Sequence, residues 1–296
     1  MAVITSPNGY IFYHYIPTKP GAIVVVALFA LGTLVVLWRS ITTRTRFAIP
    51  FMIGGVLEVI GYIARAIAKD TEDSPLVPFV MQSVLLLVAP ALFAASIYMT
   101  LARVIRSVHG EQYSIIRPTW LTRLFVLSDV VSFFAQATGG GFQASKNFNK
   151  KTAEYIILGG LFVQILGFGL FATTALIWHV RMRASRNISS GADTKGKWQK
   201  IMVMLYSVSV LIMVRSVFRV VEYVMGTDGY LFRHEWPLYI FDAVLMLLTV
   251  GLFSWWYPGR LVHSHVAKDE EADRAQRWTR EKASSVIWAD WWRVVR

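Results

Sequence analysis

Seven charged side chains lie inside long apolar stretches of this 296-residue chain, apart from Arg123 near the start of one stretch. An ionised group in hydrocarbon costs at least about 2.5–3.5 kcal/mol, so such residues usually mark places where a membrane protein binds or moves something. A carboxylate there can meet an amine, and a guanidinium can meet a phosphate or hydroxyl groups. The seven are Glu58, Arg65, Asp129, Arg215, Arg219, Glu222 and Asp242. We expect them to face the inside of a helix bundle and each other.

The spacing of these residues supports that expectation. Glu58 and Arg65 are seven positions apart, so a helix places them on one face two turns from each other, with Tyr62 between them. Residues 215, 219 and 222 have the spacing of a second polar stripe along one helix face. The pattern therefore predicts two helices that turn ionisable faces toward the bundle interior.

Seven apolar runs must position these side chains. A helix needs roughly 20 apolar residues to cross the hydrocarbon of a bilayer. The runs are 21–38, 47–67, 79–102, 121–141, 155–180, 201–224 and 238–257. Hydrophobic residues make up 55% of the chain and charged residues 16%, and the mean hydropathy is +0.48. The sequence predicts an all-α polytopic membrane protein, a seven-transmembrane-helix bundle.

The basic residues predict its orientation. Of the 30 Lys and Arg residues, 21 fall in the connectors and tail on one side of the predicted membrane. The positive-inside rule then puts the N-terminus outside and the C-terminus in the cytoplasm. The domain organisation follows as an extracellular tail (1–20), a seven-helix domain (21–262) and a cytoplasmic tail (263–296) whose tryptophans suit an amphipathic interfacial helix. Because basic loops meet anionic lipid headgroups, the net charge of +12 does not indicate a nucleic-acid partner.

Polar residues of the runs converge in the half of the membrane that we predict to be outer, with Glu58 and Gln164 near the middle and Asp129 deeper. The candidate ligand-binding or transport residues are Glu58, Tyr62, Arg65, Gln82, Asp129, Gln136, Gln164, Arg215, Arg219, Glu222 and Asp242. Their convergence predicts a partly hydrated cavity that opens to the outer side or outer leaflet. The alternative is that these residues form charge pairs that determine helix packing and bind no ligand.

Several other functions are disfavoured. The six histidines lie toward the ends of the runs or beyond them, so they do not supply the three ligands of a catalytic zinc. No lysine lies within a run to form a retinal Schiff base, and the chain has no cysteine. Without a nucleophile, base or metal constellation, we predict that the protein is not an enzyme and needs no cofactor.

Several segments together resemble one fungal family, the lipid-translocating exporters that are named for aminocholesterol resistance (RTA-like proteins). They are PFMIGGVLEVIGYIAR (50–65), QSVLLLVAPALFAASIYMTLAR (82–103), DVVSFFAQATGGG (129–141), GLFVQILGF (160–168), VRSVFRVVEYVMGTDGYLFRHEWPLYIFDAVLM (214–246) and YPGR (257–260). The resemblance covers roughly residues 10–265 and includes spacing as well as composition. The family motif positions are Glu58, Gly61, Arg65, Gln82, Asp129, Gln136, Arg215, Arg219, Glu222, Glu235 and Asp242.

This resemblance implies a multi-pass plasma-membrane protein linked to export of sphingoid long-chain bases, to lipid asymmetry and to tolerance of toxic amphiphiles. One branch of the family is tied to porphyrin or haem traffic, which keeps a porphyrin open as an alternative ligand. We predict a flippase-like exporter of an amphiphilic lipid, a sphingoid base or a phospholipid, in which Glu58 or Asp129 meets an amine. No ATP site is visible in the sequence, so transport needs a gradient, equilibration or a partner.

A seven-helix lipid receptor that signals through basic cytoplasmic loops is the other class that stays open. The third run ends in LARVIR without an acidic-Arg-Tyr triplet, and the seventh ends in WWYPGR without an Asn-Pro signature. These absences disfavour the common receptor subclass but leave an unusual one open. The sequence does not choose between transport and sensing, and it does not predict an oligomeric state.

Overall fold

A computed structural model describes residues 4–5, 11–13, 18–68, 76–108, 110–144, 150–184, 192–225, 229, 231 and 234–258. Within these residues, seven helices are long and apolar enough to cross a membrane. They are α1 (Lys19–Thr42), α2 (Ile49–Ile67, after a 3₁₀ turn at Arg46–Ala48), α3 (Leu76–Ser107), α4 (Pro118–Ala144), α5 (Lys150–Ala184), α6 (Ala192–Val224) and α7 (Trp236–Trp255). The predicted all-α seven-helix fold is confirmed, and the chain is a multi-pass membrane protein.

The two tails are described only in part. Two short strands, β1 (Ile4–Thr5) and β2 (Ile11–Tyr13), pair antiparallel in the N-terminal segment, which the sequence analysis did not predict. The interfacial helix predicted within residues 263–296 lies outside the described residues. The predicted orientation of the termini stays a prediction.

Most helices extend beyond the apolar runs that predicted them. The third continues from the end of its run at residue 102 to Ser107, through two basic residues, and the fifth begins at Lys150 instead of residue 155. A helix satisfies its own backbone hydrogen bonds, so it can continue into the headgroup region once charged side chains reach water there. Hydropathy therefore located the spans, and the helix ends lie in more polar sequence.

The helices turn apolar faces outward and enclose an aromatic core. Leu31, Leu170 and Val210 are each at least 60% exposed, as expected of side chains that contact lipid tails. Inside the bundle, the Phe51 ring of α2 packs 4.4 Å from that of Phe93 in α3 and 4.0 Å from that of Phe253 in α7. These contacts hold α2 between its neighbours and determine which of its faces is buried.

A glycine run near the end of α4 serves packing between α4 and α5. The sequence suggested that residues 139–141 either end the helix or allow a close approach, yet α4 continues to Ala144. A Cβ atom on Gly139 would lie 2.5 Å from Cγ1 of Ile157 and 2.9 Å from the carbonyl oxygen of Ala153. A Cβ atom on Gly140 would meet nothing within 4 Å. Helix termination was therefore wrong, and close packing is confirmed for Gly139.

The two neighbouring glycines give a matched pair of variants. We expect Gly139→Ala to lower the free energy of unfolding by about 1–3 kcal/mol, because α5 backbone must move to admit the methyl group. Gly140→Ala should be neutral or stabilising by up to about 1 kcal/mol, because alanine favours the helix and has room. Thermal stability of the purified protein in detergent checks both. Equal losses in the two variants would contradict the packing role of Gly139.

Candidate functional site

A buried carboxylate on α7 binds two arginines of α6. Oδ1 of Asp242 accepts a hydrogen bond from Nε of Arg215 at 2.5 Å, and Oδ2 accepts one from Arg219 at 3.2 Å. Arg219 also binds Glu222, one turn further along α6, at 3.0 Å. Asp242 is 1% exposed and Arg215 is 4% exposed, so little water screens these ion pairs. The predicted polar stripe on α6 is thereby confirmed, with Asp242 as its partner on the next helix.

The backbone of α7 is irregular where it presents this carboxylate. Residues Tyr239–Val244 form a π-helical segment between two α-helical stretches. A π turn inserts an extra residue into a helix and rotates the side chains that follow it, and such turns are frequent at functional sites. Asp242 lies within this segment, so its placement toward both arginines depends on local geometry that an ordinary helix would not supply.

A proline in α3 completes the coordination of Arg215. Pro90 has no backbone N–H, so the carbonyl oxygen of Leu86, four residues earlier, lacks its helical donor. The guanidinium of Arg215 donates to that oxygen at 2.6 Å. A proline in the middle of a helix commonly bends it. In the structure it frees a carbonyl that joins α3 to the ion network of α6 and α7.

A second ion pair lies at the end of the bundle that we predict to be outer. Arg65 of α2 donates to Oε1 of Glu235 at 2.7 Å, and its guanidinium lies 5.3 Å from the ring centre of Tyr239. The carboxylate of Glu235 also accepts from the backbone N–H of Thr18, the residue before α1. Three helix ends therefore meet at one carboxylate. We call this group, formed by Thr18, Arg65, Glu235 and Tyr239, the outer clasp.

Glu235 was absent from our set of candidate site residues. It lies before the seventh run in a polar connector, so the cost of burying charge in hydrocarbon did not draw attention to it. Its place among the family motif positions was the available signal.

Glu58 and Tyr62 face the same interior without partners of their own. Both carboxylate oxygens of Glu58 and the hydroxyl of Tyr62 are buried and, among the described residues, have no hydrogen-bond partner. Glu58 is 1% exposed and lies within electrostatic range of Asp242, Arg215 and Arg219. The ring of Tyr62 stacks between Phe29 of α1 at 5.8 Å and Tyr239 at 6.5 Å. The shared face predicted for Glu58, Tyr62 and Arg65 is confirmed, since all three are buried.

The charges of this region do not balance. Arg65 pairs with Glu235, while Arg215 and Arg219 share Asp242 and Glu222. Three cations thus meet three carboxylates, and Glu58 is a fourth carboxylate for which the described part of α2, α6 and α7 supplies no cation in contact. An unpaired buried charge costs several kcal/mol, so this position needs a counter-charge or a proton.

The remaining candidates lie apart from this region, on α3, α4 and α5. The hydroxyl of Tyr98 donates to Asp129 at 3.0 Å, beside the rings of Phe125 and Phe171. Gln136 donates to the hydroxyl of Ser132 and to the side-chain oxygen of Gln164, joining α4 to α5. Gln82 is buried on α3. The predicted set therefore separates into groups, of which only the α2, α6 and α7 group concentrates charge.

The geometry predicts how these groups contribute to stability. Arg215→Met should lower the free energy of unfolding by about 3–5 kcal/mol, because Asp242 would lose one of its two cations inside the protein. The double variant Arg215→Met/Asp242→Leu should recover most of that loss, since Arg219 keeps Glu222 and both members of the broken pair are removed together. Thermal unfolding in detergent measures both. A double variant as unstable as the sum of its parts would contradict the pairing.

The contact with α3 can be tested in the same background. Pro90→Ala returns an N–H group to the carbonyl oxygen of Leu86. Added to Arg215→Met, it should recover about 1 kcal/mol, the usual net value of one hydrogen bond, whereas in the wild type it competes with the guanidinium. An equal effect in both backgrounds would show that Arg215 and Pro90 act independently.

Comparison with known proteins identifies the family of this chain. Residues 51–265 match the family described as RTA1 like protein. In Saccharomyces cerevisiae, Protoporphyrin uptake protein 1 is 36% identical over 285 residues, which cover 84% of this chain and 93% of that protein. Protein RTM1 is 34% identical, with 84% and 92% covered. Sphingoid long-chain base transporter RSB1 is 27% identical, with 77% and 70% covered.

No solved structure matches the chain. The names of two of these relatives describe transport or uptake, and none of the three names describes an enzyme. The family match spans α2 to α7, so it includes every ion pair described above. The backbone N–H of Thr18, which binds Glu235, lies outside the match. The match and the relatives over 30% identical agree with the resemblance of the six segments, and this chain belongs to the RTA1-like family of fungal multi-pass membrane proteins.

Proposed function

We propose that this protein binds a cationic amphiphile at Glu58 and carries it across the plasma membrane, as an exporter without an ATPase of its own. The ligand class that we favour is a sphingoid long-chain base, a single-chain lipid with an amine. Support comes from the relative named as a sphingoid long-chain base transporter and from the chemistry of the site.

The observation that carries the proposal is the buried carboxylate of Glu58, which has no hydrogen-bond partner in the part of the chain that the structure describes. Buried ionisable groups that serve structure are paired, as Asp242 is, because the alternative costs several kcal/mol. Among the described residues, the side chain of Glu58 makes no hydrogen bond, yet it lies on the buried face of α2. A carboxylate that destabilises the empty protein and would be neutralised by an ammonium group is what an amine-binding site requires.

The surroundings of Glu58 favour an amine over a phosphate. All three arginines of the region already bind carboxylates that neutralise them, so a phosphate would bring negative charge that no free cation of the region offsets. Tyr62, one turn from Glu58, offers its hydroxyl to a second polar group of the ligand. The aromatic rings of Phe29 and Tyr239 flank it and suit the adjoining apolar chain. A phospholipid is therefore the less favoured of our two lipid classes.

A porphyrin is the second candidate, favoured by the 36% identity to Protoporphyrin uptake protein 1. A porphyrin carries carboxylates, which would have to bind arginines of the outer clasp or of the α6 stripe in place of the present partners. Its flat ring system would suit stacking between aromatic side chains. Competition between a porphyrin and a fluorescent sphingoid base for the purified protein distinguishes one shared site from two unrelated ones.

Removing the carboxylate separates function from stability. In liposomes, we expect the wild type to accelerate movement of a fluorescent sphingoid base between leaflets, and Glu58→Gln to return the rate close to that of empty liposomes. The same variant should unfold at an equal or higher temperature, because it removes an unpaired buried charge. An N-acylated form of the same lipid, which lacks the ammonium charge, should move no faster with the protein than without it.

Exposed Glu111 provides the control, since Glu111→Gln removes a carboxylate outside the bundle and should transport like the wild type. Full transport by Glu58→Gln would remove the proposed function. If the wild type binds the lipid saturably but does not transport it, the result would favour a lipid sensor or a transporter that needs a partner.

A further inference from the structure

We propose that the protein is a proton exchanger, in which one proton and one cationic ligand occupy the carboxylate of Glu58 alternately. The inference rests on the proposed function, because it takes Glu58 as the place where the ligand's ammonium group binds. It adds the energy source, which neither the family nor the relatives' names supply.

The charge inventory leaves room for one positive charge. Around α2, α6 and α7, three arginines are matched by three carboxylates through direct contacts of 2.5–3.2 Å. Glu58 remains, with both oxygens buried and without a donor among the described residues. A single proton neutralises it, and so does a single ammonium group. A protonated carboxyl group is neutral and no longer attracts an ammonium group, so the proton and the ammonium group occupy Glu58 alternately.

The neighbours of Glu58 keep this exchange at one residue. From α6 and α7 it is faced by Arg215, Arg219 and Asp242, whose charges are already compensated once Glu222, the second partner of Arg219, is counted. On its own helix, Tyr62 lies one turn away and Arg65 is held by Glu235. The neighbouring faces of α1 and α3 contribute the apolar side chains of Phe29, Leu86 and Phe93. Within the described residues, Glu58 is thus the ionisable group of this region with no direct charge partner.

The exchange balances in atoms and charge. In the proton-bound state, the carboxyl group of Glu58 is neutral. When the ligand arrives, its ammonium group pairs with the carboxylate, and the O–H bond of the carboxyl breaks to release one proton to water. The reverse reaction on the other side of the membrane returns the proton to Glu58 and frees the ligand. No covalent bond to the ligand forms, and no other reactant is needed.

Coupling follows from the cost of the empty, charged state. A carrier that held neither proton nor ligand would have to change conformation with an unpaired carboxylate in its interior, where an unpaired charge is costly. That cost slows the empty carrier relative to the two neutral states. Proton movement one way therefore drives ligand movement the other way.

A permanently charged ligand tests the exchange, because its own charge does not change with pH. The probe is a fluorescent single-chain quaternary ammonium amphiphile, offered below its micellar concentration to purified protein in nanodiscs. We expect its apparent Kd to rise by up to about tenfold for each unit of acidification across part of the range from about pH 5 to pH 9. In weakly buffered solution, a pH-sensitive dye should report the release of up to one proton for each probe bound.

Two variants test which residue releases the proton. Glu58→Gln should release no proton, and its residual binding should not depend on pH. Glu111→Gln should release protons as the wild type does. A sealed liposome adds the coupling step: with wild-type protein, an imposed proton gradient should concentrate the probe on the acidic side, and Glu58→Gln should show no accumulation.

The outcomes separate the two proposals. No saturable binding of the probe by the wild type at any pH overturns the proposed function and the exchange with it. Saturable binding with a constant Kd and no proton release overturns the exchange and leaves amine binding in place. Proton release that persists in Glu58→Gln overturns the assignment to Glu58, and other carboxylates such as Asp129 would then have to supply the proton.

Discussion

The carboxylate of Asp242, held between Arg215 and Arg219, is the interaction on which the interior of this protein depends. In water an ion pair of this kind contributes little, but inside a bundle surrounded by lipid each ion must find a partner or leave. The network satisfies that requirement across three helices, because Arg215 also binds the carbonyl oxygen that Pro90 leaves free in α3. Breaking any one member leaves the others with charges that the interior cannot solvate.

The same constraint explains why the position of α2 matters. Its buried face carries small glycines, Glu58, Tyr62 and Arg65, and aromatic stacking on Phe93 and Phe253 directs that face toward α6 and α7. Arg65 satisfies its charge at the outer clasp, where the N-terminal end of α1 and the start of α7 share Glu235. Glu58 therefore lies below a closed set of contacts that joins α1, α2 and α7. A ligand could reach Glu58 from that end only past these contacts.

The groups on α3, α4 and α5 perform a different task. Gln136, Ser132 and Gln164 connect two helices that also approach closely at Gly139 and Gly160. Side-chain hydrogen bonds and small residues are the usual means of helix association in lipid, where no hydrophobic effect drives it. Asp129 is satisfied in part by Tyr98 within an aromatic cluster. These residues therefore join helices beside the charged region, and both their predicted part in ligand binding and the cavity expected from the sequence stay predictions.

By itself, the sequence determined that the chain has seven membrane-spanning helices, because run length and hydropathy are local properties that the bilayer imposes on any chain. It also determined that Glu58, Arg65, Arg215, Arg219, Glu222 and Asp242 are turned inward, because helical spacing and the cost of charge in hydrocarbon leave no other place for them. The sequence did not show which of these side chains pair with each other. The packing of distant helices determines that Arg65 binds Glu235 and not Glu58. It also determines that Arg215 binds the carbonyl oxygen left free by Pro90 and that the π turn directs Asp242 toward the arginines. Only the tertiary structure decided that every arginine of this region has a carboxylate partner while Glu58 has none among the described residues, since pairing is a matter of distances between helices that one-dimensional spacing does not contain.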